Sequence, residues 1–269
     1  MSLTLNTNNF SINAQRSVAT TQSSLAVSMA RLSSGLRVNS AKDDAAGLAV
    51  ASSMMTQAKG MDVAIRNAND GISLLQVADG AQATMGDILQ RMRELAVQAK
   101  SGTYKTEDLA KLDVEYQQLA LELADVQTRA RFNGSSVLDN TAGHDYVLQV
   151  GADAADELTV TTTAVDVSTP GDVTDAINAD LAIGWVDAAL EDVNTARANN
   201  GAFMSRLDNV VVNLRNMYEA QMSAYGRIMD ADFARETANL SRAQVLQQAG
   251  VAMVAQANAL PQNVLALLR

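Results

Sequence analysis

Few residues in this chain have the type and spacing that chemistry requires. The single histidine, His144, stands beside Asp145 in a turn-like stretch, where a lone imidazole reads as a surface residue. Cysteine is absent, so no thiol nucleophile, disulfide or cysteine metal cage can be built. No His-Glu-x-x-His pair is present, which removes the helical zinc-protease arrangement. Asp43-Asp44 and Asp230-Ala231-Asp232 could hold a cation or act as a carboxylate dyad. Both lie where one helical segment gives way to another, so capping of helix starts is the expected role. There a carboxylate accepts free backbone N–H groups and meets the positive end of the helix dipole. The glycines form no phosphate-cradling loop. No catalytic residue, cofactor site or metal site is expected, and an enzyme is not expected.

Modification chemistry has more material. Asn9-Phe10-Ser11, Asn133-Gly134-Ser135 and Asn239-Leu240-Ser241 match the N-glycosylation pattern, a short pattern that chance supplies. Thr161, Thr162, Ser168 and Thr169 cluster on or beside an expected exposed hairpin and suit O-linked sugar.

The elements that must position these residues are helices. Hydrophobic residues make up 48% of the 269 but aromatics only 4%, a palette of Ala, Val, Leu and Met that suits helix-on-helix packing. The formal net charge is −10 with Lys and Arg scattered, which argues against a nucleic acid partner. The first ten residues lack the basic and apolar regions of a signal peptide, and no window of about 20 residues is continuously apolar, so no membrane insertion is expected.

Apolar residues recur at alternating steps of three and four. Leu25, Met29, Leu32 and Leu36 do so, as do Ile65, Ala68, Ile72, Leu75, Gln82 and Leu89 with Asp79 and Gly86 interrupting. Leu109, Leu112, Tyr116, Leu119, Leu123, Val126 and Ala130 form an unbroken run, and Leu207, Val211, Leu214, Tyr218, Tyr225 and Ile228 continue the theme. This repeat keeps one seam towards a partner helix. A second row, Leu74, Val77, Ile88 and Leu95, gives the first long helix another neighbour. From Asp44 to Lys100 that helix would be roughly 85 Å long, against a radius of gyration of about 18 Å for a compact chain of this length. The expected fold is therefore mainly α, an elongated bundle of long coiled-coil helices. Ser101-Gly102-Thr103 and Phe132-Asn133-Gly134 read as turns, and a break is expected near Gly201. Period-two alternation at Tyr146, Leu148, Val150 and Leu158, Val160, Thr162 predicts one small β-hairpin at about 145–163.

The two ends share a lack of charge. Before Asp43 the only charged residues are Arg16, Arg31, Arg37 and Lys42, and none lies between Arg242 and Arg269. A solvated helix normally carries charge, so these ends read as surfaces that other protein covers. Leu25, Met29, Leu32 and Leu36, with Leu246, Val254, Leu260, Val264, Leu267 and Leu268, are the candidate assembly seams.

Six blocks in order then resemble bacterial flagellin: RLSSGLRVNSAKDDAAGLA (31–49), RNANDGISLLQVADGA (66–81), QRMRELAVQ (90–98), RFNG (131–134), SRAQVLQQAG (241–250) and PQNVLALLR (261–269). The middle departs from many relatives, since only about 40 residues separate RFNG from the returning helix. A short form without variable outer domains is implied. The resemblance implies an inner coiled coil from residues 1–43 and 233–269, disordered in the free subunit, around an outer rod of 44–232. It implies self-assembly into the flagellar filament for swimming, and a hairpin that helps the subunit switch between packing states. Export by the flagellar type III route without a cleaved signal peptide follows, to an extracellular location. The implied partners are further copies, an export chaperone, and the cap and hook-associated proteins. Arg91 and Leu95 are four apart on a helix, and the next helix could bring Glu115 alongside. These three match positions that in the family contribute to subunit packing and are read by the animal Toll-like flagellin receptor. Two other readings remain open: a hook–filament junction protein, and a secreted module binding a receptor or glycan.

Overall fold

The computed structural model describes residues 7–138 and 144–267, with side chains through residue 259. Its elements are α1 (Asn9–Ser34), α2 (Ala45–Ala99), α3 (Thr106–Arg129), β1 (Arg131–Phe132), β2 (Ser135–Ser136), β3 (His144–Gln149), β4 (Glu157–Thr162), α4 (Ala176–Met229) and α5 (Phe233–Leu267). The chain is thus mainly helical with a small antiparallel hairpin. It divides into two compact units, residues 1–56 with 220–269, and residues 57–219. The divisions expected from sequence, after 43 and after 232, lie at the starts of α2 and α5.

In the first unit, helix ends are set by short polar side chains. The Asn8 side chain accepts the Ser11 N–H at 3.1 Å to open α1. Gly35, with φ of 73°, closes it by returning its N–H to the Arg31 carbonyl. Asp44 accepts the Gly47 N–H at 2.8 Å ahead of α2, and Asp232 accepts those of Ala234 and Arg235 ahead of α5. Asp43 instead braces the loop: the Ser40 hydroxyl and the Asn39 and Ser40 N–H groups donate to it, holding its carboxyl below the usual value.

The two breaks are zipped to each other. Leu36 and Asp230 form an antiparallel bridge, flanked by Arg37 N–H to Met229 O at 2.6 Å and Ala231 N–H to Gly35 O at 2.9 Å. Val38, Ala51 and Met229 are buried beneath, against Leu36, Leu48, Tyr225 and Ile228. Leu36 therefore lies past the end of α1, because the left-handed Gly35 ends the helix one residue earlier.

In the second unit the main core joins α2, α3 and α4. Met85, Leu89, Met92 and Leu95 of α2 meet Tyr116 and Leu123 of α3, and Val186 and Val193 of α4. The unbroken row on α3 faces this core. Its end is tied to the approach to α4, for Tyr116 donates its hydroxyl to Pro170 O at 2.6 Å and Asp113 accepts the Val173 N–H at 3.0 Å. Asp175 then accepts the Ile177 and Asn178 N–H groups to start α4.

No break occurs at Gly201. The seam of α4 runs Ala179, Ala182, Val186, Ala189, Val193, Ala196, Asn200, Leu207, Val211 and Leu214, buried on both sides of the glycine. Asn200 donates to Gln82 Oε1 at 2.8 Å within the core. That packing outweighs the roughly 1 kcal/mol a mid-helix glycine costs. The second row on α2 is also incomplete, because Val77 is exposed.

The expected hairpin is β3–β4, paired from His144↔Thr162 to Gln149↔Glu157. Its inward Leu158 and Val160 pack with Ala68 and Leu75 of α2 and Leu207 and Val211 of α4. A Cβ on Gly60 would come within about 3.1 Å of Ala152 Cα, so a side chain there would crowd the hairpin loop against α2 and ask it to move by a few tenths of an ångström. The turn at Asn133-Gly134 proves to be a second, smaller hairpin, Arg131↔Ser136 and Phe132↔Ser135.

Tyr116 supplies a test of this fold. Its fully buried phenol, near Asp113 and Asp172, has its pKa pushed up to about 12 by burial and by those carboxylates. Tyr116→Phe leaves the Pro170 carbonyl without its donor and should cost roughly 1–2 kcal/mol. Chemical denaturation would read this as a lower midpoint with unchanged slope; an unchanged midpoint would refute the role given to the bond.

Candidate assembly surface

The pairing of α1 with α5 has an inverted distribution of side-chain size. The α1 residues turned from solvent are Ser11, Ala14, Val18, Thr21, Leu25, Ser28 and Leu32, at steps of three and four. On α5 they are Glu236, Leu240, Ala243, Gln247, Gly250, Val254 and Ala257, at the same steps. Most are small or polar. A Cβ on Gly250 would sit 2.7 Å from Val18 Cγ2, so a side chain there would force the Val18 side chain to shift. Contacts along the pair show antiparallel register. Asn8 Nδ2 donates to Ala257 O at 2.8 Å, Ser11 Oγ to Asn258 Oδ1 at 2.7 Å, and Arg31 Nη1 to Glu236 Oε1 at 3.1 Å.

Large apolar side chains point the other way. Phe10 (52% exposed), Ile12, Val27 and Met29 (56%) project from α1, and Val245 (65%), Leu246, Val251 and Met253 (62%) from α5. With Phe233 (55%) at the start of α5, the described residues of these two sparsely charged helices expose nine bulky apolar groups, more than the scattered exposure of an ordinary surface.

Among the sequence-derived seam residues, Leu25, Leu32 and Val254 lie within the pair, while Met29 and Leu246 face outward. Leu36 belongs to the bridge with Asp230. Leu260, Val264, Leu267 and Leu268 lie outside the residues whose side chains are described. Tracing only bulky side chains misses the inner seam; reading Ser, Thr, Ala and Gly at the same period would have found it.

Glu236 and Arg31 form the charged point of the pair, with Glu236 buried. Burial opposes the Glu236 charge, but Ser28, Arg31 and Asn239 outweigh it and hold the carboxyl below its ordinary value of 4.5. A groove beside the ion pair is lined by Thr20, Thr21, Ser24, Val27, Asn239 and Leu246.

A second exposed feature lies on the other unit. Arg91 donates through Nε and Nη2 to Glu115 Oε1, at 3.0 and 2.7 Å, and through Nη1 to Glu94 Oε2 at 2.9 Å. These bonds, Glu115 first, raise the Arg91 pKa further above its ordinary value. Arg91 and Glu115 thus meet as the sequence allowed. Leu95 does not join them on the surface: it is 1% exposed and belongs to the core. Four residues advance a helix by about 400°, and the 40° or so left over turns Leu95 inward.

The hydroxyls divide by strand parity. Thr161 is exposed and donates to Asp145 at 2.6 Å, and Ser168 and Thr169 are exposed. Thr162 is 1% exposed, on the inward face with Leu158 and Val160, which removes it as a sugar site in the folded chain. Among the described residues no helix is long and apolar enough to cross a membrane.

The chain matches the bacterial flagellin N-terminal helical region over residues 5–143 and the bacterial flagellin C-terminal helical region over residues 183–268. It is similar to flagellin of Halalkalibacterium halodurans, 43% identical with 98% of this chain and 99% of that protein covered. It is also similar to flagellin of Bacillus subtilis and to the flagellar filament 33 kDa core protein of Treponema phagedenis, each 37% identical with 98% and 99% covered. A flagellar hook-associated protein of Vibrio parahaemolyticus shares the fold, with a TM-score of 0.59 at 13% identity over 70% of this chain and 100% of that one.

The Glu236 ion pair predicts a pH dependence. With its folded pKa depressed, Glu236 contributes stability above the ordinary value of 4.5, and that contribution drains away as pH falls through the lower folded value. Hydrogen exchange in α1 and α5 should accelerate over that acidic range. In Glu236→Gln the pairing should be weaker at neutral pH, and the variant should lack this component of the acid response. Identical acid profiles for the two proteins would remove the assignment.

Proposed function

The chain belongs to the bacterial flagellin family and is a structural subunit of the extracellular flagellar filament used in swimming; we propose that it polymerises through the outward faces of α1 and α5. The observation that carries this reading is the size inversion across that pair. Small residues close the helices on each other, and the bulky apolar residues are left for neighbouring copies. Covering a Met or Val side chain of this kind is worth about 1.5–3 kcal/mol when complete. Isolated helices need such burial to persist, which supports terminal segments that order fully only on assembly.

The surface around Arg91 and Glu115 is proposed as a contact between protofilaments and as the part read by the animal Toll-like flagellin receptor. In this reading Leu95 shapes the surface from beneath. An export chaperone, the cap and hook-associated proteins, and export by the flagellar type III route belong to the same proposal, with the inner and outer divisions at 1–43, 44–232 and 233–269. The β3–β4 hairpin is proposed to bias the subunit between packing states. Sugar, where present, is assigned to Thr161, Ser168 or Thr169. Similarity to filament proteins along nearly the whole chain favours the filament over the hook–filament junction, since the hook-associated likeness is one of fold.

Met253→Asp should leave the second unit's thermal transition unchanged and abolish seeded polymerisation, because a carboxylate would be buried unpaired between copies. Normal filaments from this variant in electron micrographs would refute the proposed face. Separately, Arg91→Ala monomer should signal at least about tenfold less potently in receptor-expressing reporter cells, the size expected when an arginine anchor is lost. Equal potency would exclude Arg91, and silence of the unaltered monomer would exclude the receptor.

A further inference from the structure

The sequence contains two Asn-Gly steps, Asn133-Gly134 and Asn200-Gly201, and the fold places them in opposite environments. From this contrast we propose that Asn133 is a site of spontaneous deamidation through a succinimide, and that Asn200 is protected.

The reaction needs three things: a backbone nitrogen free to attack, an amide carbon free to receive it, and room for a five-membered ring. Asn133 and Gly134 occupy the two-residue turn between β1 and β2, with φ of 49° and 83°. The ladder bonds of such a hairpin run between the flanking residues, here Phe132 and Ser135, and leave the second turn residue's N–H outside the ladder. Both turn residues are exposed, and a Cβ placed on Gly134 would meet nothing within 4 Å. The glycine offers no side chain to hinder approach to its nitrogen.

At Asn200-Gly201 each requirement fails. The step lies inside α4, where the Gly201 N–H belongs to the helix ladder. Asn200 is fully buried, and its Nδ2 donates to Gln82 Oε1 at 2.8 Å. Reaction there requires α4 to open first.

The atoms balance with water as the only co-reactant. The Gly134 nitrogen loses its proton to solvent and forms a bond to Asn133 Cγ. The Cγ–Nδ2 bond breaks, and the nitrogen leaves as ammonia after taking up protons. Water then adds to one of the two succinimide carbonyls and breaks one C–N bond, giving either aspartate or isoaspartate. The net change is amide plus water to acid plus ammonia.

The products differ in structural consequence. Aspartate suits this turn, since Asp-Gly is as acceptable there as Asn-Gly. Isoaspartate inserts the side-chain methylene into the backbone of a turn with no slack. The register Arg131↔Ser136 would be lost, and with it the Val137 N–H to Ala130 O bond at 2.9 Å that seats the buried Val137 and Leu138. Isoaspartate should therefore loosen one end of the second unit's core.

Incubating the purified full-length chain at mildly alkaline pH, then mapping peptides by fragmentation that separates aspartate from isoaspartate, tests this. At least about tenfold more conversion is expected at Asn133 than at Asn200 in the folded chain, and comparable conversion at both in denaturant. Asn133→Asp should retain the thermal midpoint, whereas the isoaspartate fraction should melt lower. Conversion at Asn133 no faster than at Asn200 in the folded chain would overturn the proposal. An isoaspartate fraction melting with the unaltered protein would overturn the structural consequence.

Discussion

Two long helices can lie side by side at close range only where the residues between them are small, and this constraint organises both units. On α4 the seam is Ala179, Ala182, Ala189 and Ala196 with valines between. On α2 it includes Ala58, Ala64, Ala68, Ala78, Ala96 and Ala99. In the α1–α5 pair it becomes Ser, Thr, Ala and Gly, with Gly250 seated against Val18. Close packing gives each helix many weak dispersion contacts without consuming its bulky side chains. Where the seam is small, the large apolar residues are free for another use.

That freedom separates the two units in kind. In the second unit bulky residues complete a core, as Met85, Leu89 and Met92 do against Tyr116 and Leu123. The core is closed by specific polar ties: Tyr116 to Pro170, Asn200 to Gln82, Asp113 to Val173. In the α1–α5 pair the same residue classes are largely turned outward, and the polar ties Asn8–Ala257, Ser11–Asn258 and Arg31–Glu236 hold the seam instead. Exposed cross-helix ion pairs such as Arg93–Asp187 and Arg197–Asp79 belong to the second unit. Such pairs contribute little each, but their charge keeps that surface solvated.

How much of this was legible in the sequence follows from the same constraint. Bulky periodicity is easy to read, so the α3 row from Leu109 to Ala130 and the alternation of Leu158, Val160 and Thr162 gave the correct elements. Seams of small residues carry no such contrast. In α1 the bulky row therefore leads through Met29, an outward residue, whereas the buried seam runs through Thr21 and Ser28. Gly201 suggests a break because its local cost is visible in sequence and the packing of Asn200 and Leu207 is not. Leu95 shares Arg91's face in sequence but not in the fold, because spacing by four fixes a face only to within tens of degrees. Thr162 shows that parity can be read correctly and its consequence overlooked, for the alternation that predicted the strand already placed it inside. Half of the carboxylate signals were transparent, because capping is a local interaction: Asp44 and Asp232 satisfy N–H groups two or three residues away, whereas Asp43 braces the preceding loop and Asp230 lies in the bridge with Leu36.

The outward faces also bear on the kind of assembly the chain makes. A two-fold contact would need one patch that matches itself, closing after two copies. Here α1 and α5 run antiparallel and present different rows, Phe10 to Met29 on one and Val245 to Met253 on the other. Two unlike apolar rows suit a head-to-tail contact, in which one copy's row meets a different row of the next. Such contacts do not close unless the rotation between copies happens to complete a ring, and otherwise they generate an open helix. On the proposed face, an open filament is then the natural product of a surface that the described residues leave uncovered.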